Sequence, residues 1–477
     1  MSSDRRPGPP ADGQAPPAGR RILFRGGTVI TGAGEHRPFA GDVLVEDSVI
    51  TAVGPRLDVD PAGCAVVDAS GFFVVPGFVD THRHLWQSLF RLSGADWTII
   101  NYRDAMWKTL GPAYTPDDIY LALRIGLADA LDCGVTQVFD WNHNIVTPEH
   151  ADAAVQAHDD SLARVVFGYG QGSPVWATAQ DPSVGASVAP PSPDLARIRT
   201  RYYSSDRQRI TLALAARGPE VSPMEVVKAE ADQARELGLR SSIHVGSGPR
   251  ARVNPISRMR DIGALSADIT WVHCNSLADA ELRLIADSGG TASCSPELEL
   301  HMGHGRPAVG RLLAVGVRPS LSVDTCVNVG GDLFGIMRAA LASVRGDAHL
   351  ASIAAGRDAR RVALTSGEVF DFATCQGAAA NGLGDRTGSI RPGNQADIVL
   401  LDRYALNLYP STNPVGTIVM GAHPGNVHGV LVAGRVVKWA GRLTYPDLAD
   451  LRARVQDRAT ELLAQVGGFP PSYFPAG

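Results

Sequence analysis

His82 and His84 stand two residues apart behind a run of apolar residues, in the stretch FVVPGFVDTHRH at 73–84. On an extended chain, side chains two apart share a face, so both imidazoles can address one point. Two imidazoles on one face of a strand end make half of a transition-metal site. Three further apolar segments end in polar groups of the same kind: Ile243-His244, Val272-His273-Cys274 and Val323-Asp324. A histidine inside an apolar strand is commonly a satisfied core residue, and an aspartate after a strand is commonly a helix N-cap. Packing and capping explain each residue singly, but explain poorly why all of them fall at corresponding strand ends. Three neutral imidazoles and one carboxylate suit zinc or a similar divalent ion, with a position left for water. Such an ion lowers the pKa of water from about 15.7 to near 7, so that hydroxide exists at neutral pH. In this reading Asp324 accepts the water's proton and passes it to a leaving nitrogen, and His273 orients the attack or polarises a substrate oxygen.

These residues need a scaffold that gathers strand ends. The opening stretch 73–84 reads as one buried strand, interrupted by Pro76 and Gly77. Seven more apolar runs follow: VTQVFD (135–140), ARVVFGYG (163–170), ITLALAA (210–216), LRSSIHVG (239–246), ITWVHC (269–274), TASCS (291–295) and RPSLSVD (318–324). Ala/Leu/Glu/Arg-rich segments with helical character separate many of them. Eight such units predict an α/β fold, a (β/α)8 barrel whose active site lies at the C-terminal ends of its strands. Short Val/Ile/Leu runs with Gly turns occupy 21–72 and return over 385–445, which predicts a small β-domain built from both chain ends. The barrel then spans 73–384 and a helical tail spans 446–477, with an amphipathic segment LADLRARVQDRATELLAQVG. The Pro/Ser-rich run 171–193 reads as a lid or substrate loop.

A chain of 477 residues with 44% apolar content can bury a large core and a smaller one. The net charge of −5 comes without a basic block, which argues against a nucleic-acid partner. The six cysteines are scattered with no CxxC pair, as expected of reduced thiols in a cytoplasmic protein. Residues 1–20 are Pro/Gly/Ala-rich, read as a disordered tail rather than a signal peptide, and no run approaches a membrane span. There is no phosphate-loop pattern, no HExxH, and no PCxxC of the unrelated zinc deaminases.

The motifs PGFVDTHRH, IHVG, WVHC, LSVD and GSIRPGNQADIVLLD together resemble the amidohydrolase superfamily, in its cytosine deaminase and triazine chlorohydrolase branch. The resemblance runs from Arg21 to about Leu443 and implies a distorted (β/α)8 barrel with a small β-sandwich from both chain ends. Carried over by position, it makes His82, His84, His244 and Asp324 the ligands of one divalent metal, zinc with iron or manganese as alternatives. It makes His273 a catalytic or substrate-orienting residue beside Asp324. The fourth strand, ITLALAARGPE, carries no lysine to bridge two metals, as in single-metal members. Two departures stand out. Deaminases of this branch carry His-X-X-Glu after the fifth strand, where this chain has His244-Val245-Gly246-Ser247. A serine cannot shuttle protons near neutral pH. After the seventh strand the branch shows Ser-Asn, where this chain has Leu298 and Glu299 within SPELELHMGHGRP. Glu297 or Glu299 is then a replacement acid or an exposed turn residue, with the turn favoured.

Gln87, Trp86, His143, Glu299 and His304 are the further candidates for substrate contact, with Trp107 as an aromatic wall. The sequence therefore reads as a metal-dependent hydrolase of C–N bonds in a small-molecule amide, lactam, amidine or modified peptide end. The alternatives are deamination or dehalogenation of a heterocycle, decarboxylation on the same scaffold, and a non-enzymatic barrel used for assembly. Family members are often dimers or larger, which implies a homo-oligomer by analogy alone. His244→Ala is expected to lose metal and turnover together, measured by metal analysis beside a rate assay. Asp324→Asn is expected to keep the fold and lose most of the rate.

Overall fold

The computed structural model describes residues 15–16, 21–34, 37–60, 63–172, 189–248, 254–470 and 473. Apart from residues 15–16, the expected disordered tail lies outside the described residues, as does the middle of the expected lid, 173–188. Five strands open the described chain: β1 (Arg21–Val29), β2 (Phe39–Glu46), β3 (Val49–Gly54), β4 (Cys64–Asp68) and β5 (Phe72–Pro76). Eight follow in parallel: β6 (Phe78–Arg83), β7 (Val135–Ile145), β8 (Arg164–Gln171), β9 (Ile210–Ala216), β10 (Arg240–Val245), β11 (Ile269–His273), β12 (Thr291–Cys294) and β13 (Ser320–Leu321). Four more close the chain: β14 (Ile398–Asp402), β15 (Val427–Val432), β16 (Arg435–Trp439) and β17 (Arg442–Leu443). The first five and last four form one nine-stranded mixed sheet, joined where β5 pairs antiparallel with β14. That sheet encloses its own apolar cluster, including Phe24, Val43, Ile50, Val74, Ile398 and Leu431. The C-terminal amphipathic segment is a helix, Leu448–Gln465, and Arg458 on it pairs with the buried Asp118 of the helix Pro116–Asp132.

The eight parallel strands form the barrel in chain order, as the sequence predicts. Its seam is made by backbone. The Asp324 N–H donates to the His82 carbonyl (2.9 Å), and the His84 N–H donates to the Asp324 carbonyl (2.7 Å). Buried hydroxyls reinforce it from inside: Thr81 Oγ1 lies 2.7 Å from Ser293 Oγ and 2.8 Å from Ser320 Oγ. Asp80 Oδ1 accepts from the Val323 N–H at 3.2 Å, tying the first strand to the exit of the last. Burial pushes the Asp80 carboxyl up to about 7 despite the neighbouring Arg83.

Three expectations are corrected. The stretch 73–84 is two strands in different sheets, β5 in the terminal sheet and β6 in the barrel. Gly77 is the switch between them, and a Cβ there would fall 2.0 Å from Thr136 Oγ1, so only glycine lets the chain cross. The second barrel strand runs on to Ile145, so Trp141, Asn142 and His143 lie inside it rather than after it. The eighth strand is only Ser320–Leu321, because the chain must turn into a left-handed conformation at Asp324 (φ 69°).

The barrel and the terminal sheet share a buried ion pair. Arg164 Nε on β8 lies 2.7 Å from Asp397 Oδ2, with side-chain exposures of 1% and 3%. Asp397 Oδ1 also accepts from the Ala433 N–H at 2.8 Å, so the carboxylate serves both units. Arg164→Leu would leave that carboxylate buried without its cation, and is expected to cost about 3–5 kcal/mol. A urea melt checks this, with a lower midpoint at unchanged slope.

Candidate active site

The C-terminal ends of the barrel strands bring the predicted ligands together. His82 lies one residue before the end of β6, His84 follows the strand, His244 lies near the end of β10, and Asp324 follows β13. One donor atom from each lies within 4.8 Å of all the others. His84 Nε2 is 3.2 Å and His82 Nε2 is 3.4 Å from Asp324 Oδ1. His82 Nε2 and His244 Nε2 face each other at 3.1 Å. Two imidazole nitrogens at that separation are compatible only with a proton or a cation between them. His84 Nδ1 lies 2.8 Å from the Trp141 carbonyl, which only accepts, so Nδ1 carries the proton and Nε2 keeps its lone pair.

The electrostatics agree with ligand chemistry. Burial lowers the His82 pKa to about 3 and takes His244 well below its ordinary value, so both rings are neutral. Burial pushes the Asp324 carboxyl the other way, but the imidazoles of His82, His84 and His273 packed beside it outweigh burial and hold Asp324 well below the usual range. Neutral imidazoles beside an ionised carboxylate are the protonation states a divalent ion requires. The residues present therefore fit one such ion, in a donor set of three nitrogens and one carboxylate.

His273 ends β11 and stands apart from this group. Its Nε2 is 3.5 Å from Asp324 Oδ2, and its Nδ1 is 3.2 Å from Glu299 Oε1. Burial lowers its pKa, but Glu299 and Asp324 outweigh burial and the net shift is upward. Both His273 (φ 77°) and Asp324 (φ 69°) have left-handed backbones. Such conformations cost on the order of 1–2 kcal/mol for a side-chain-bearing residue and persist where the surroundings enforce them. Here they turn both side chains inward over the strand ends.

A cavity opens above the group, lined by residues from several strand exits. Tyr102, Trp107, Val221 and Met302 give it an aromatic and apolar wall, and His304 lies on its rim side near His273. Tyr102 and Trp107 sit where the helix Ile99–Tyr102 runs into a π-wound segment, Arg103–Leu110, a rare form that recurs at functional sites. Of the residues expected to touch substrate, His304 and Trp107 line the cavity, whereas Gln87, Trp86, His143 and Glu299 do not. Gln87 is buried behind the wall, donating to the Tyr102 hydroxyl (2.6 Å) and accepting from Thr325 Oγ1 (2.6 Å). His143 is buried against His84, Trp86 and Trp107, because its strand runs longer than expected. Glu299 is fully buried rather than an exposed turn residue, since the segment folds as a helix, Pro296–Met302. His301 on that helix is exposed.

The sequence reading passed over Arg217, Glu220 and Tyr102, all of which line the cavity. The first two follow β9, so the strand-end logic that found the histidines would have found them. Tyr102 carries no comparable signal. Glu299 holds His273 in one tautomer and also accepts from the Ser295 N–H at 2.9 Å. Glu299→Gln is therefore expected to lower kcat about 10–100-fold. KM and melting temperature should move little, as steady-state kinetics beside calorimetry would register.

Comparisons with known proteins agree with the family and the fold. The amidohydrolase family model matches residues 73–437. A 5-methylthioadenosine/S-adenosylhomocysteine deaminase of Symbiobacterium thermophilum is 28% identical over 463 residues, covering 93% of this chain and all of the relative. A 5'-deoxyadenosine deaminase of Methanothermobacter thermautotrophicus is 27% identical, covering 88% of this chain and 94% of the relative. Among solved structures, a zinc-bound adenosine deaminase of Xanthomonas campestris superposes with a TM-score of 0.77 at 22% identity, covering 95% of this chain and all of that one. Zinc-bound atrazine chlorohydrolase of Arthrobacter aurescens superposes at 0.79 and 21% identity, covering 92% and 100%. With a family model matching residues 73–437, well over half of its length, the chain belongs to the amidohydrolase family as a metal-dependent hydrolase.

Proposed function

We propose that the protein deaminates an amino-substituted nitrogen heterocycle of the aminopurine nucleoside class. One divalent ion, zinc, is held by His82, His84, His244 and Asp324, with iron or manganese as alternative loadings. The observation that carries this reading is the meeting of three imidazoles and an ionised carboxylate beneath an aromatic-walled cavity. Relatives aligned over nearly their whole length carry deaminase names, which supports it. The amide, lactam, amidine or peptide-end substrate favoured on sequence gives way to the heterocycle alternative for that reason. The decarboxylase alternative is set aside on the same ground.

A divalent ion at these donors supplies Lewis acidity, lowering the pKa of water from about 15.7 towards 7. The two oxygens of Asp324 then divide their work. Oδ1 faces His82 and His84, and Oδ2 faces His273. Oδ2 is the atom that takes a proton from the attacking water and returns it to the departing amine. Glu299 occupies Nδ1 of His273, so Nε2 is the edge that orients the water or the developing oxygen anion. The aromatic side chains of Tyr102 and Trp107 suit a flat heterocycle, and Met302 and Val221 add apolar surface beside it.

Ser247 favours a second reading, hydrolysis of an amide or lactam, in which no ring nitrogen needs a proton. The test is product analysis on adenosine, 5'-methylthioadenosine and S-adenosylhomocysteine. Ammonia release that a chelator abolishes and zinc restores is the expected result. Amine and carboxylate from amides, with no ammonia from any aminated heterocycle, would instead establish the second reading.

A further inference from the structure

Ser247 stands where deaminases of this branch keep a glutamate, yet a carboxylate does reach that corner of the cavity from another strand. Glu220 lies in the loop after β9, half-buried, and lines the cavity together with His244, Ser247 and His273. Its Oε1 accepts the N–H of Gly246, the residue immediately before Ser247, at 2.8 Å. The charge of Glu220 is felt at His273, where it favours the protonated ring.

The loop that presents Glu220 is pinned on several sides. The Arg217 N–H and Nε both donate to Glu230, at 3.1 and 2.7 Å, and Arg217 is 1% exposed. Arg258 Nη1 donates to the Pro219 carbonyl at 3.2 Å, and the Val221 N–H donates to the Gly218 carbonyl at 3.4 Å. Gly218 has φ 75°, and a Cβ there would fall 2.5 Å from Ile243 Cγ2 on the neighbouring strand. A loop fixed this closely holds its one carboxylate in a defined place, as proton transfer requires.

We propose that Glu220 is the proton-transfer residue of the deamination, doing from the fourth strand what the branch does from the fifth. The inference rests on the deaminase reading above. In the step, water oxygen bonds to the ring carbon bearing the amino group, and the π pair of its C=N bond moves to the ring nitrogen. Glu220 carries the first water proton to that nitrogen. The carbon–amine bond then breaks as the O–H pair closes to C=O, and Asp324 carries the second proton to the amine. Heterocyclic amine and water become lactam and ammonia, with both water protons accounted for.

Glu220→Gln separates this role from a structural one, because the amide oxygen can still accept the Gly246 N–H but cannot carry a proton. With a substrate from which the wild type releases ammonia, the variant is expected to lose at least about 100-fold in kcat. Its KM, bound zinc and melting temperature should stay near wild type. Adding Ser247→Glu to Glu220→Gln is expected to recover at least about tenfold of that loss, since it restores a carboxylate at the family's position. Activity of Glu220→Gln within threefold of wild type would overturn the proposal and leave the deaminase reading standing. So would a loss that tracks lost zinc or a lowered melting temperature. Absence of ammonia from the wild type on every aminated heterocycle would overturn both.

Discussion

The seam of the barrel is where structure and chemistry coincide. The first and last strands are joined by two backbone hydrogen bonds, and both involve Asp324 with His82 or His84. The peptides that close the sheet therefore belong to the residues whose side chains converge on the candidate metal position. A shift of either strand by one residue would invert its side chains, removing both histidines or the aspartate from the site. The short eighth strand gives this junction little sheet to rely on, so hydroxyls of Thr81, Ser293, Ser320 and Ser322 bind it from within. Asp80 adds a carboxylate that accepts from the far side of the seam.

Around this junction the site is built in layers, each fixing the one inside it. The Trp141 carbonyl sets the tautomer of His84, and Glu299 sets that of His273. Gln87 braces Tyr102 and Thr325 at once. Burial keeps the candidate ligand rings His82 and His244 neutral, while the imidazoles packed around Asp324 keep its carboxyl well below the usual range. Low dielectric would penalise such a cluster if its charges were unmatched, and a divalent ion is the natural counterpart. Residues that looked like substrate contacts in the sequence, His143 and Gln87 among them, belong to this supporting layer.

In the assignment proposed for Glu220, the fold keeps a chemical function while moving the residue that performs it away from the position of Ser247. In a (β/α)8 barrel every strand ends at the same rim, so a group lost from one loop can be supplied by the next. Gly246 and Glu220, on neighbouring strand exits, already touch. This arrangement is open to a carboxylate from either side.

The sequence by itself determined the barrel, the terminal β-domain drawn from both ends, and the histidines and aspartate at the strand ends. These follow from local patterns: apolar runs of strand length, the two-residue period that aligns His82 with His84, and polar residues at the C-terminal end of each run. It left open what depends on neighbours distant in the chain. That 73–84 crosses between two sheets follows from Thr136 crowding Gly77. That Glu299 is buried behind His273, and Glu220 lies beside Ser247, follows from loops of different strands meeting over the barrel. Periodicity records which face a side chain takes on its own element, but burial and partnership are set by the element packed against it, and only the tertiary structure brings that element into place.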